Sequence, residues 1–433
     1  MPIKSFTILI ISVLILLTPK FYYLYLSLDS NKYTEKSVYN SGDETHYLLL
    51  AKNLSENFVY ADNGSNTPTE SAVWRSPIWP IILAALFAIT NQIFSLILLK
   101  FIMELTLIAL ALSLYYKYGG IKYKFIFPFL LLLIEPQYIK YSLTFLSESI
   151  TSIFILILVI CFLLFSNSRK YSISIIVCAL IVFYCHPVSA FFVGFLLLFY
   201  GLLNLKKSFW RVLCHALIFI SVFSIWPIRN HLTFNKGFFI TASQGATFSK
   251  GWNKNVISKF NNCDGDLANE GLNLDYLSLK DEDTKNLSVL DKSKLYKKAT
   301  FTFLKASSYS EILKIILVKI KSNFNPFMEK SKDVFLEKIA VPFRFLYCFV
   351  FIQTLYFLLF KKEELIVSNR YKVSIAILAI LLGQVFMSVY IYTGLRFNAI
   401  YSLVLLFLSI VFNMNLINKL FILIGSKYKS ISR

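Results

Sequence analysis

Two adjacent carboxylates, Asp43 and Glu44, stand early in the stretch NSGDETHYLLLAKNLSENFVYADNGSNTPTESAVWRSPIWP, residues 40–80, just ahead of a helix-patterned run from His46 to Leu54. A carboxylate fixed at a helix start can take a proton from a bound hydroxyl, and grouped carboxylates can hold a hard cation. A polar loop with such a pair beside a very apolar segment is an active-site candidate. The competing reading is that Asp43 caps the helix, accepting amide hydrogen bonds of its first turn. Arg75, Glu148, His186, Arg229, Asn230 and Arg396 fall in loops or near span ends on what charge placement makes the same side of the chain. Ionisable groups there are costly unless solvated or paired, so a one-sided cluster marks a site. Each has a structural alternative: Arg75 and Arg396 as snorkelling anchors, Glu148 as a paired acid, His186 as a turn residue before Pro187, Asn230 as a cap at a loop entry. His46 and His231 lie on that side too, at a spacing that makes no ligand pair. Glu104 stands mid-span, and the sequence names no partner for it.

The elements that must position these residues are membrane spans. Of the 433 residues, 57% are hydrophobic and 16% charged, and the mean hydropathy is +0.63. Apolar runs recur, each near the roughly 20 residues that a bilayer crossing takes. A soluble two-domain protein is excluded. The N-terminal run has no small-residue cleavage site and reads as an uncleaved first span over about residues 5–27. Further spans are expected at 93–116, 125–140, 144–165, 171–185, 187–204, 211–228, 342–360, 372–392 and 397–414. With basic clusters inside, these alternate as ten crossings with both termini cytoplasmic. Residues 77–90 are short and carry two prolines, so they read as a juxtamembrane helix in the outer leaflet.

The expected fold is therefore an all-α polytopic membrane protein of about ten transmembrane helices. Residues 1–228 form an N-terminal transmembrane module with a first outer loop at 28–92. Residues 229–341 form a second outer loop whose segment from Lys292 to Asn323 is amphipathic and basic, fitting either a membrane surface or a cover over the first loop. Residues 342–433 give the last spans and a basic cytoplasmic tail. The net charge of +20 fits orientation and anionic lipid, and no basic-aromatic motif points to nucleic acid. Cys161, Cys178, Cys185, Cys214 and Cys348 lie in or beside apolar runs, Cys263 in a polar segment, and no C-x-x-C pair marks a zinc or redox site.

Four segments carry a family resemblance. GDETHYLLLAKNL with WRSPIWPIILA, YSLTFLSESITSIF, SIWPIRNHLTFNKGFFITASQGATFSKGWN and YTGLRFNAIYSLVLL resemble, in order and spacing, motifs of the GT-C membrane glycosyltransferases, in the branch of the protein O-mannosyltransferases and the lipid A aminoarabinose transferase. Together they cover roughly residues 1–415. The chain departs from the pattern at Cys185-His186-Pro187, where the family often has Arg or Lys before Pro, and the last span is followed by no large soluble domain.

The resemblance implies a polyprenyl-phosphate-linked sugar as donor and a hydroxyl of a glycan, lipid or protein as acceptor, joined by inverting displacement at the outer, periplasmic or extracellular, face of a bacterial inner or plasma membrane. Under it Asp43 is the base, Glu44 and Glu148 are supporting acids, Arg229 and Arg396 bind the donor phosphate with Arg75 as a further phosphate ligand, and His186 and Asn230 are substrate-site residues. Guanidiniums suit the phosphate because they are always charged and bidentate. No cofactor or metal is expected; a divalent cation held by the acids at 43, 44 and 148 is the second reading. A surface-polysaccharide polymerase or ligase, and a lipid-linked sugar transporter, are the alternatives from other classes.

Overall fold

A computed structural model of the chain describes residues 16–26, 42–119, 126–168, 170–237, 239–253, 256, 284, 286–324, 334–360, 370–391 and 395–414. Every regular element among the described residues is helical. In chain order these are α1 (16–26), α2 (Asp43–Asn57), α3 (Ile78–Phe87), α4 (Ile93–Gly119), α5 (Ile126–Leu130), α6 (Pro136–Ser142), α7 (Glu148–Phe165), α8 (Ile173–Cys185), α9 (Ala190–Leu205), α10 (Phe209–Phe234), α11 (Gln244–Gly251), α12 (Val289–Ala306), α13 (Tyr309–Phe324), α14 (Val334–Phe360), α15 (Arg370–Tyr390) and α16 (Leu395–Phe412).

Six helices are long and apolar enough to cross a membrane, lying in α4, α7, α9, α10, α14 and α15. The protein is a helical membrane protein. These six match six of the expected spans. The spans expected at 171–185 and 397–414 are shorter apolar helices, Ile173–Cys185 and Asn398–Phe412. The span expected at 125–140 is corrected from one continuous helix to two short helices and a 3-10 turn, Leu131–Ile134, broken at Glu135. The cause is local. A residue before proline is pushed toward extended backbone, and Glu135, ahead of Pro136, has ψ 120° and caps α6 by accepting from the Tyr138 amide at 2.6 Å.

α7 is the centre of the packing. Its residues lie in one buried apolar cluster with side chains of α8, α9, α15 and α16. α9 and α15 approach closely at Gly383, where an added Cβ would lie 2.9 Å from the Phe192 backbone. By contrast α10 buries few of its side chains, His215, Pro227 and Asn230 among them. It contains Pro227, which has no amide hydrogen to give the Phe223 carbonyl one turn back. The Tyr184 hydroxyl of α8 donates to that carbonyl instead.

α3, at ten residues, spans about 15 Å, half a hydrocarbon core, in keeping with a helix that does not cross. It buries Trp79 and Leu83 against Tyr47, Leu48 and Ala51 of α2. The amphipathic segment of the second loop is two helices, not one. α12 ends before Ser307, and α13 starts on a reciprocal cap: Glu311 Oε2 accepts from the Ser308 amide at 2.8 Å while Ser308 Oγ accepts from the Glu311 amide at 3.3 Å. The segments at 42–92 and 229–324 are joined. The Lys236 ammonium contacts Glu70 at 3.0 Å and Asp291 at 2.7 Å, and the Ala242 amide donates to the Val73 carbonyl at 2.8 Å. Tyr296 of α12 packs with Ala246 and with Trp74 of the first loop.

Candidate active site

α2 begins at Gly42, whose φ of 66° is easy for glycine and rare for other residues. Gly42 is the N-cap and makes no side-chain cap bond, so Asp43 sits inside the first turn. Its carboxylate is engaged elsewhere, accepting from Nη2 of Arg75 across 32 residues of sequence. The capping role for Asp43 is therefore corrected to an ion pair, and the anchor role for Arg75 to a partner of Asp43. Arg75 follows the 3-10 turn Ala72–Trp74 in extended backbone, and its guanidinium lies over the Tyr47 ring at 5.0 Å.

The rest of that turn faces the segment leading into α7. Glu44 Oε2 accepts from the Phe145 amide at 2.9 Å, and the Trp79 indole donates to the Phe145 carbonyl at 2.7 Å. Tyr47 and Ser147 hydroxyls lie 3.2 Å apart. Next to Ser147, Glu148 is buried, with Oε1 3.9 Å from His186 Nε2. His186 also serves as a turn residue: its Nδ1 accepts from the Val188 amide at 3.4 Å ahead of the 3-10 turn Pro187–Ser189. The fold thus gathers Asp43, Glu44, Arg75, Glu148 and His186 around the start of α7.

Two residues that the sequence does not single out complete the arrangement. His46 Nδ1 accepts from Arg75 Nε at 3.2 Å, and its Nε2 lies 2.9 Å from Asp62 Oδ2. Asp62 Oδ1 accepts in turn from the Thr69 and Ser71 hydroxyls, each at 2.7 Å. Burial raises the pKa of Asp62, but the hydrogen bonds from His46, Thr69 and Ser71 outweigh it and hold the carboxyl well below its usual range. A chain of alternating charge and hydrogen bond runs from Asp62 through His46 and Arg75 to Asp43. The signal for His46 was its spacing from Asp43, three residues along a helix and so on the same face. Asp62 carried none.

Arg229 and Asn230, in the last turns of α10, belong to a neighbouring layer. The guanidinium of Arg229 faces the Trp226, Phe234 and Tyr60 rings at 5.0, 5.7 and 5.9 Å and donates to Asn230 Oδ1 at 3.0 Å. Asn230 is fully buried and donates to the Phe239 carbonyl at 3.0 Å, the loop-entry role. Tyr60 joins the layers, its hydroxyl donating to the Arg75 carbonyl at 3.1 Å. Arg396 lies in α16, and its side chain is outside the described residues.

No family model, curated protein or solved structure matches the chain. The family resemblance therefore rests on the four segments quoted above.

The carboxylates at 43, 44 and 148 each meet a different partner, Arg75, the Phe145 amide and His186. Among the described residues no group of three or more His, Cys, Asp or Glu is gathered as a metal site. Chemically, the arrangement offers one oriented carboxylate, a guanidinium fixing it, and a second guanidinium in an aromatic box nearby. Glu104 has a partner after all. Lys100, one turn earlier in α4, pairs with it at 2.7 Å, and Ser149 of α7 donates to the same oxygen at 2.6 Å.

Proposed function

We propose that the chain is an integral membrane glycosyltransferase that moves a sugar from a polyprenyl-phosphate donor to a hydroxyl acceptor. In this reading the six long helices belong to a set of ten crossings in a plasma or bacterial inner membrane, and the two joined loops face outward. The acceptor oxygen attacks the anomeric carbon while Asp43 takes its proton, and the bond from that carbon to the phosphate oxygen breaks with its electron pair on the polyprenyl phosphate. Attack opposite the leaving group inverts the anomeric centre. Arg229 and Arg396 meet the charge gathering on the phosphate. Arg75, already committed to Asp43 and His46, orients the base. The observation that carries the reading is the Asp43–Arg75 pair at the open end of α2, 39% exposed on the carboxylate side. It holds a carboxylate in one direction while leaving it reachable.

The test is turnover of purified Asp43→Asn with a polyprenyl-phosphate sugar and acceptor. Loss of a general base costs about 100-fold to 10,000-fold in rate, while Asn keeps the shape of Asp and an oxygen that can still accept from Arg75. Asp43→Asn should be folded, bind donor and be almost inactive, and Arg229→Lys should be impaired because an ammonium cannot replace a planar fork. A second reading, a lipid-linked sugar transporter, is favoured by the buried Lys100–Glu104 pair inside α4, since transporters place polar groups within the membrane. Transport that survives in Asp43→Asn and fails in Glu104→Gln would select it.

A further inference from the structure

A cavity with several amide side chains on its wall lies at the other end of α6 from Phe145. It opens between α6, α13, α14, α15 and α16 and has room for several waters. Amide side chains from four helices line it: Gln137, Asn323, Gln384 and Asn398. Gln384 donates to Asn398 Oδ1 at 3.3 Å, and Asn398 donates to the Asn323 carbonyl at 3.1 Å. Those bonds leave both side-chain polar atoms of Asn323, and Oε1 of Gln384, buried with no hydrogen-bond partner. Asn323 and Gln384 are 9% and 5% exposed. Buried amide atoms are normally satisfied, so three that no protein group satisfies on the wall of one cavity are placed to bond a hydrogen-bonding ligand there.

The hydrogen-bonding sense of the walls says what kind. Tyr347 gives its one hydroxyl proton to Glu135 at 3.0 Å. Ser402 Oγ lies 2.8 Å from Glu135 Oε2 and 2.9 Å from the Ala399 carbonyl, so its proton is directed away too. Both oxygens therefore present lone pairs, as do Asn323 Oδ1 and Gln384 Oε1. Arg344 is the one cation lining the cavity among the described residues. An anion needs donors on every side, and four acceptors with a buried carboxylate behind two of them oppose it. A hydroxyl both donates and accepts, which suits amides. Phe324 and Phe351, 6.1 Å apart edge to face, add an apolar wall. We infer that this cavity binds a neutral polyhydroxylated group, a carbohydrate ring with its hydroxyls on the amides of Asn323 and Gln384. The inference does not depend on sugar transfer at Asp43.

The test is saturation-transfer NMR on the full chain in lipid nanodiscs free of sugar detergent, using methyl α-mannoside and methyl β-glucoside as probes and inorganic phosphate as competitor. Wild type and Asp43→Asn should transfer to at least one glycoside, Asn323→Leu/Gln384→Leu at least five-fold less, and phosphate should not compete. Asn323→Ala, which removes one amide and adds no bulk, should give an intermediate loss and serves if the double variant does not fold. Equal transfer in wild type and the cavity variants, no transfer in wild type, or displacement by phosphate would each overturn the inference. Because Asp43→Asn keeps this binding, failure here and failure of the transfer reading are separate results.

Discussion

His46 Nδ1 accepts from Arg75 Nε at 3.2 Å, and an arginine can only donate, so His46 is held as the neutral tautomer with its proton on Nε2, directed at Asp62. The tautomer is fixed from both sides by groups of opposite charge. Rotation of the imidazole would place a donor against Arg75 or an acceptor against Asp62, and the guanidinium would lose its alignment on Asp43.

This makes Asp62 a positioning residue for the proposed base. Asp62→Asn keeps the shape but puts an NH2 in place of one carboxylate oxygen, facing either His46 or the Thr69 and Ser71 hydroxyls, which donate there. We expect turnover to fall about ten-fold, well short of the 100-fold or more that loss of a general base costs, with donor KM little changed. His46→Gln, whose amide can donate to Asp62 and accept from Arg75, should retain more activity than His46→Leu. Steady-state kinetics on the three variants check this; equal losses for Gln and Leu at position 46 would make the contact merely packing.

The same carboxylate sets a pH dependence of stability. Asp62 has a pKa lowered in the fold, against about 3.9 for an unperturbed Asp, so the unfolded chain binds its proton first as pH falls. Its contribution is complete above the unfolded value and is lost as pH drops through the lower folded one. The difference in thermal midpoint between wild type and Asp62→Asn should be constant above about pH 5 and shrink below about pH 4. A difference that grew on acidification would reverse the sign and contradict the hydrogen-bonded anion.

Much of this was legible in the sequence and some could not be. Asp43, Glu44 and Arg75 stood out because polar groups beside apolar runs are few. The break at Glu135 was signalled by Pro136, yet the apolar run on either side hid it. Lys100 and Glu104 stand one helical turn apart, a spacing compatible with pairing, yet the partner of Glu104 emerged only with the structure, which adds Ser149 to it. Glu44 was legible as an acid but not in its role, because its partner is the Phe145 amide, and a backbone group leaves no residue signature. The amide cavity draws on residues from Gln137 to Leu405, and only the packing of five helices brings them together.

The helix geometry sharpens the topology. α7 has 18 residues, about 27 Å of rise, close to a hydrocarbon core of about 30 Å. Glu148 at its start and Ser168 just past its end should therefore lie on opposite sides. In intact cells Cys263, outside the described residues, should react with an impermeant thiol reagent, and Ser168→Cys in a Cys263→Ser background should not. Labelling at 168 from outside would turn the first loop inward and remove the outward-facing site.

The last prediction concerns the buried charges of α4. Lys100 and Glu104 have no exposed surface, and Lys20 of α1, 1% exposed, places its ammonium 4.3 Å from the Phe101 ring and 3.9 Å from the Tyr138 ring. Two ammonium groups thus lie in the field of one carboxylate, and Lys100 is the one in contact with it. Lys100 is otherwise well supplied, donating to the Ser142 carbonyl and the Ser149 hydroxyl, each at 2.9 Å. Lys20 has only ring faces and the field of Glu104, its nitrogen being buried with no hydrogen-bond partner. Removing one member of a buried pair costs about 3–5 kcal/mol because the other is left uncompensated. Glu104→Gln strands two cations and should fall at or above the top of that range. Lys100→Met leaves Lys20 and Glu104 to compensate each other and should cost less, and Lys20→Met should partly rescue Glu104→Gln. Thermal unfolding of the four variants in one detergent checks the order. Equal destabilisation by Glu104→Gln and Lys100→Met, with no rescue by Lys20→Met, would show that Lys20 does not depend on the carboxylate.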